Sequence, residues 1–303
     1  MKLLILGKNG QVGWELQRAL QPLGEVLALD RYQDAKTQYC GDISNFDAIA
    51  RVITQFRPNI VVNATAYTAV DKAESDQQQA QLINAQAVKH LASECKKHHA
   101  LLIHYSTDYV FSGDGITPWN EDDQTSPVNY YGLTKREGEL ALEQSNVRFL
   151  NFRTCWVYAA RGNNFIKTML KLAQTKEELS IIHDQVGVPT GAALIADVTA
   201  QAIRYYTLQS ETEKQNLHGH YHLAPKGETT WHDYAQFVFA HARHTGQVLA
   251  LNKVNPIETS AYPTPAKRPL NSRLNTNKLE QNFKMHLPHW QQGVTQVLEE
   301  LLP

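Results

Sequence analysis

The sequence predicts an α/β fold: a doubly wound parallel (Rossmann) sheet with a smaller α/β substrate-binding domain. Three observations carry that expectation. Residues 3–6 are apolar without a break, as a strand buried on both faces must be. Gly7, Gly10 and Gly13 follow at once and open a stretch with Val12, Leu16 and Leu20 on one helical face. Strand, glycine turn and helix in that order are what a dinucleotide-binding turn requires. Short apolar runs then alternate with amphipathic stretches as far as residue 153, the rhythm of parallel strands joined by crossover helices.

In chain order, Gly7 permits the tight turn and Gly10 lets backbone approach a pyrophosphate. The free N–H groups of the helix start would attract that pyrophosphate, and Gly13 lets helix and strand pack closely. The spacing is Gly-x-x-Gly-x-x-Gly, which differs from the Gly-x-Gly-x-x-Gly form. A second strand, 26–29, ends in Asp30, an acid suited to the adenosine ribose hydroxyls of NADH. Arg31 comes next and suits the 2′-phosphate of NADPH, so the choice of cofactor stays open. Asp42 and Ile43, where an adenine can rest, precede a helix over 46–56 that Pro58 ends. A strand over 60–63 runs into Ala64, Thr65, Ala66 and Tyr67, small residues at first, leaving room for the nicotinamide-side ribose and phosphates.

A helix over 76–98 crosses back to a strand over 101–104 that continues to Thr107. Ligands of open α/β sheets bind beyond the carboxyl ends of the strands, and Gly7, Asp30, Ala64 and Thr107 all fall there. A loop over 108–129 leads to a helix over 129–144. Tyr131 and Lys135 are four apart on that helix and project from one face. A lysine ammonium beside the tyrosine hydroxyl favours the phenolate and should lower the tyrosine pKa toward neutrality. Such a pair exchanges protons with a carbonyl or alcohol.

A strand over 147–153 closes this half. Beyond it come a helix over 164–174, a strand over 179–183, a turn over 184–190, a helix over 192–206, a strand over 220–223 and a helix over 231–244. A proline-punctuated stretch with Pro256, Pro263, Pro265 and Pro269 precedes two last helices, about 275–281 and 288–302. The expected division is interleaved: 1–155 with about 191–225 for the dinucleotide, about 156–190 with 226–303 for the substrate.

Bulk composition narrows the classes. A 303-residue chain with 42% hydrophobic and 19% charged residues can bury a core. A formal net charge of −1 without a basic run excludes a nucleic-acid footprint. No run of 18 apolar residues could span a membrane, and four apolar residues before Gly7 are too few for a signal-peptide core. Three scattered cysteines read as thiols in a reducing compartment, so the expected address is cytoplasmic. His104 reads as a core histidine, and His218, His220 and His222 lack a supporting fourth metal ligand.

The glycine turn, Ser106-Thr-Asp-Tyr-Val-Phe111 and Tyr131-x-x-x-Lys135 resemble the extended short-chain dehydrogenase/reductases. Within them the chain is most similar to the dTDP-4-dehydrorhamnose reductase family. The matching stretches include 63–74, 130–135, 153–158, 162–165, 184–191 and 268–274. The resemblance implies NADPH- or NADH-dependent reduction of the C4 ketone of dTDP-4-dehydro-6-deoxy-L-mannose to dTDP-L-rhamnose. That is the last step in making the activated sugar for surface polysaccharides such as O-antigen. It implies that Tyr131 gives the proton, that Lys135 holds the nicotinamide ribose, that Thr107 binds the reacting oxygen and that Trp156 packs on the substrate. Gln11, Val12, Asp30, Asp42, Ile43, Ala64, Ala66 and Tyr67 would line the dinucleotide. Asp108 joins Thr107 on the substrate side. A diphosphate substrate calls for cations, and Arg268 and Arg273 are candidates, with a surface charge as the alternative for each.

Some members of the family dimerise through acids that share magnesium. Glu15 matches one of them here. Ala192-Ala-Leu194 and Thr295-Gln296 stand where further acids are expected, so no structural metal is predicted, while a homodimer stays possible. A non-catalytic, nucleotide-binding regulatory subunit on the same fold is the competing reading. A dehydratase is a third, against which Tyr109 stands in place of the expected glutamate.

Overall fold

The computed structural model describes residues 1–302. Six parallel strands form the main sheet: β1 (Lys2–Leu6), β2 (Glu25–Leu29), β3 (Ile60–Asn63), β4 (Leu101–Thr107), β5 (Phe149–Thr154) and β7 (Gly219–His222). Their order across the sheet is β7-β5-β4-β3-β1-β2. The sequence doubles back beside β1, which is the switch point where ligands of such sheets bind. The register pairs Leu6 with both Leu29 and Asn63, and Thr107 with Thr154, so these strand ends form one edge.

Helices cover both faces. On one lie α1 (Gln11–Leu20) and α6 (Ala192–Leu208), which share a core with Leu3, Ile5, Val62 and Ile103. On the other, α2 (Phe46–Phe56) and α3 (Ala87–Lys97) pack Ile49, Val52, Leu91 and Cys95 against Leu4, Leu6, Val61 and Leu102. Alternate strand residues thus feed opposite cores, which is why the strands read as continuous apolar runs. α4 (Tyr130–Ser145) follows the long loop and packs beside α3.

A third core holds the remainder: α5 (Phe165–Ala173), β6 (Glu178–Ile182), α7 (Trp231–His244), β8 (Lys253–Ile257) and α9 (Trp290–Leu301). By contrast α8 (Asn277–Phe283) packs Leu279 and Phe283 into the first core, beneath the main sheet.

Several elements escape periodicity. The stretch expected as one helix over 76–98 is continuous but contains a π-turn, Leu82–Gln86, which turns Asn84 inward. Asn84 then bonds the Tyr67 backbone on both sides and the Thr134 hydroxyl. The expected turn over 184–190 holds two short strands, Val186–Gly187 and Thr190–Gly191, paired with Thr229–Thr230 and Val157–Tyr158. β8 contains Pro256, which is tolerated because, among the described residues, β8 pairs with β6 alone. A helix over Glu211–Asn216 is fixed by a capping box between Ser210 and Glu213. No helix among the described residues is long and apolar enough to cross a membrane.

Candidate active site

Thr107 ends β4, and α4 begins across the sheet edge from it. Asn129 caps α4 by accepting the Gly132 N–H at 2.8 Å, and its Nδ2 donates to the Lys267 carbonyl at 2.8 Å. One side chain therefore sets the helix start and anchors the proline-rich stretch to it. Gly132 must be glycine, since a Cβ there would lie 2.2 Å from the Tyr109 carbonyl oxygen. That close approach places Tyr131 edge-on to Tyr109, with ring centroids 5.6 Å apart.

The expectation for the Tyr131–Lys135 pair needs correction. Lys135 does not hold the tyrosine pKa down. Burial raises the Tyr131 hydroxyl well above its ordinary value, and contact with the Thr107 hydroxyl only partly opposes this. Lys135, 2% exposed, turns its Nζ to the Tyr105 carbonyl at 2.6 Å and to His104 Nε2 at 3.4 Å. Burial pushes the lysine down to about 8, against the pull of Glu139. Desolvation dominates because both groups sit behind the sheet edge with no counter-charge directly on the phenol.

Thr107 donates to Asp108 Oδ1 at 3.1 Å and accepts the Tyr109 N–H at 3.2 Å. Burial raises the Asp108 carboxyl to about 7, with hydrogen bonds from Ser272 and Thr107 working the other way. Asp108 is thus a carboxyl poised between its acid and its anion near neutral pH.

The glycine turn suits an anionic ligand. Gly7 has φ of +90°, and a Cβ on Gly13 would lie 2.0 Å from the Gly7 carbonyl oxygen. Gly10 caps α1 with no side-chain bond and the first turn holds no acid, so the N–H groups of that turn remain available to a phosphate. This is the observation on which a dinucleotide fits. Beside it, Asp30 accepts the Arg31 N–H at 2.7 Å and an Asn9 amide hydrogen. Arg31 lies over the Tyr32 ring at 5.4 Å, and Lys8 pairs with Asp34 at 3.1 Å. Both charge signs thus remain at the ribose end.

The other expected residues are placed as follows. The Gln11 side chain accepts from Asn164 at 3.0 Å, tying the glycine turn to the second half. Val12 packs on the first core and Ile43 is buried in another, so neither offers more than one face or its backbone. Asp42 accepts the Ser44 N–H and hydroxyl in the turn before α2, which Asn45 caps. Ala66 is exposed, Ala64 and Thr65 half-buried. Tyr67 donates to Asp76 at 3.0 Å.

On the substrate side Arg268 is within reach of Tyr131 through Tyr109: it bonds the Tyr109 hydroxyl at 3.3 Å and Asp71 at 2.7 Å. Arg273 is not brought to them by any direct contact. It pairs with Glu228 at 2.7 Å and with Asn271. Trp156 adopts φ of +48° and stacks on Trp231 with centroids 3.7 Å apart. A non-glycine residue held there is a common mark of a functional site. Sequence reading passed over Trp231, Tyr109 and Ser272 as site residues. Trp231 lies 75 positions from Trp156, and nothing local to it signals the stack.

The model of the RmlD substrate binding domain matches residues 1–302. A dTDP-4-dehydrorhamnose reductase of Shigella flexneri is 56% identical over 301 residues, 99% of this chain and 98% of that protein. The chain belongs to the dTDP-4-dehydrorhamnose reductase family. Another relative of that name, from Salmonella typhimurium, is 52% identical over 99% of the chain and 98% of its own length. Two solved members of the family share the fold. The Clostridium acetobutylicum protein superposes with a TM-score of 0.87 at 36% identity, covering 99% of both chains. The Bacillus anthracis protein, solved with NADP, gives 0.87 at 31% identity and the same coverage. For the dTDP-4-dehydrorhamnose reductase family, the doubly wound sheet with a smaller α/β region is therefore the shared architecture.

Proposed function

We propose that this chain reduces the C4 ketone of dTDP-4-dehydro-6-deoxy-L-mannose to dTDP-L-rhamnose with NADPH or NADH. The observation that supports the reading is the contact between the Thr107 hydroxyl, at the end of β4, and Tyr131 on α4, where Lys135 is buried four residues on, beside a glycine turn with no side-chain cap. Gly7, Gly10, Gly13 and the first turn of α1 would hold the pyrophosphate, Asp30 and Arg31 the adenosine ribose, and Ala64 to Tyr67 the nicotinamide side. The bound nicotinamide supplies hydride to C4. Tyr131, kept protonated by burial, gives its proton to the C4 oxygen as charge develops there, and Thr107 donates to the same oxygen. Lys135 steadies the ribose and the phenolate left behind. Arg268 exchanges Asp71 for the substrate diphosphate, while Trp156 supports the sugar. Arg273 would have to leave Glu228 to act likewise.

The same reading divides the work along the chain. Residues 1–155 with about 191–225 take the dinucleotide, and the rest takes the sugar nucleotide, apart from the stretch at 279–287 that packs on the sheet core. A cytoplasmic location and a homodimer without shared metal complete it. The test is loss of nicotinamide absorbance with the 4-keto nucleotide, offering NADH and NADPH separately. Oxidation that falls by about 100-fold or more in Tyr131→Phe is expected. Cofactor binding without any turnover would instead favour the regulatory-subunit reading.

A further inference from the structure

His104 has no part in the chemistry above, yet it touches Lys135. It lies on β4, 1% exposed, between β3 and α4. Nδ1 faces Asn63 Nδ2 at 3.1 Å, and Nε2 faces Lys135 Nζ at 3.4 Å. Thr65 decides which way the Asn63 carboxamide lies. The Thr65 N–H can only donate, and it donates to Asn63 Oδ1 at 3.1 Å, as does the Thr65 hydroxyl. The carboxamide oxygen therefore faces Thr65 and its NH2 faces the imidazole. An NH2 group requires an acceptor, so Nδ1 presents a lone pair and the neutral ring carries its proton on Nε2. A doubly protonated ring would set N–H against NH2. Burial first, and Lys135 next, already hold His104 well below its ordinary pKa.

The Nε2–H thus points at Lys135 Nζ. An ammonium offers that hydrogen no lone pair. An amine accepts it and still donates to the Tyr105 carbonyl at 2.6 Å. We infer that His104 is a positioning residue, fixed by Asn63 as its Nε2–H tautomer, that favours the uncharged amine of Lys135 over its ammonium in the free protein. The other groups facing the pair do not reverse this. Glu139, one turn along α4, is engaged by Arg153 of β5 and by Arg136. His220 of β7 acts on His104 only through space and is bonded to Glu143 and Asn151. Tyr131, from the same helix, is kept neutral by burial.

The consequence rests on the reductase reading. Once Tyr131 has given its proton to the C4 oxygen, the phenolate charge favours the ammonium form of Lys135, which takes up a solvent proton and supplies the proton that restores the phenol. The resulting amine accepts the His104 Nε2–H again. Each turnover then takes one solvent proton through Lys135 and Tyr131 to oxygen. A lysine with an ordinary pKa would release that proton much less readily near neutrality.

Nitrogen NMR of the free protein with labelled histidine tests the tautomer, with His104→Gln identifying the signal. We expect a protonated Nε2 and a bare Nδ1 from about pH 6 to about pH 9. A proton on Nδ1 anywhere in that range overturns the inference, whether or not the chain proves to be a reductase. Asn63→Asp puts an acceptor against Nδ1, so it should move the ring proton there and turn the Nε2 lone pair toward an ammonium. The basic limb of kcat/KM should then rise by about one pH unit or more. An unmoved limb, or a moved limb with the ring tautomer unchanged, counts against His104. If Asn63→Asp fails to fold, the native ring spectrum still decides.

Discussion

Asp108 shows how much one buried side chain can reveal. Its folded carboxyl titrates near 7, raised by burial, against an ordinary value of 3.8. Between those values the folded state keeps a proton that the unfolded chain has released. Stability therefore falls as pH rises through that window, and the penalty persists above it. Asp108→Asn should raise the melting temperature at about pH 8, by several degrees, with the gain fading toward about pH 4. A gain independent of pH would mean that the carboxyl is not held protonated. Thr107 and Asp108 were legible from one short motif and Tyr131 from another. The state of each was not, since it depends on burial and on partners far along the chain, such as Ser272 beside Asp108.

At the scale of elements, α4 is the piece on which the site depends. Gly138 on it meets the π-turn so closely that a Cβ would lie 2.2 Å from the Asn84 carbonyl oxygen. Helix propensity alone says that alanine should be better there. Gly138→Ala should instead cost about 1–3 kcal/mol in urea unfolding, by pushing α4 from α3. Unchanged or higher stability would show that the contact relaxes easily. Further along α4, Glu139 forms a two-point pair with Arg153, at 2.8 and 2.9 Å. Burial alone would raise this carboxyl, but Arg153 overrides it and holds the group at about 2, below its ordinary 4.5. The stabilisation is present above the ordinary value and is lost as pH falls toward 2. Glu139→Gln should cost about 3–5 kcal/mol at neutral pH by stranding Arg153, and less in acid. Equal loss at both would sink the ion-pair account. Glu139, Glu143 and His220 also lie close enough to hold a cation. Arg136 bonds both carboxylates, which leaves little charge for one.

At the scale of the whole molecule, a cavity of about 720 Å³ opens between α1, α6 and α9. Glu15, Asp197, Glu299 and Glu300 line it, more acid than the departures at 192–194 and 295–296 suggested. Arg18 neutralises part of that charge, pairing with Asp197 at 2.9 Å and Glu15 at 3.5 Å. Whatever oligomer forms, light scattering should give the same mass with and without a chelator. Dissociation on chelation would overturn the expectation of no structural metal.

The sequence by itself determined the centre of the sheet, because β1 and β3 are short apolar runs buried on both faces and β1, β3 and β4 each lead into helical stretches. It made the glycine turn and the candidate set of Thr107, Tyr131 and Lys135 legible for the same local reason: each motif lies on one strand end or one helix turn. Tertiary structure decided the rest. It placed Trp231 on Trp156, paired Arg268 with Asp71 and Arg273 with Glu228, and inserted Asn84 through a π-turn that no hydrophobic period encodes. It also reversed the expected effect on Tyr131, because a pKa depends on what surrounds a group in space. Lys135, four residues away on the same helix, turns to His104 and Tyr105 on β4, and only the assembled sheet brings those within reach.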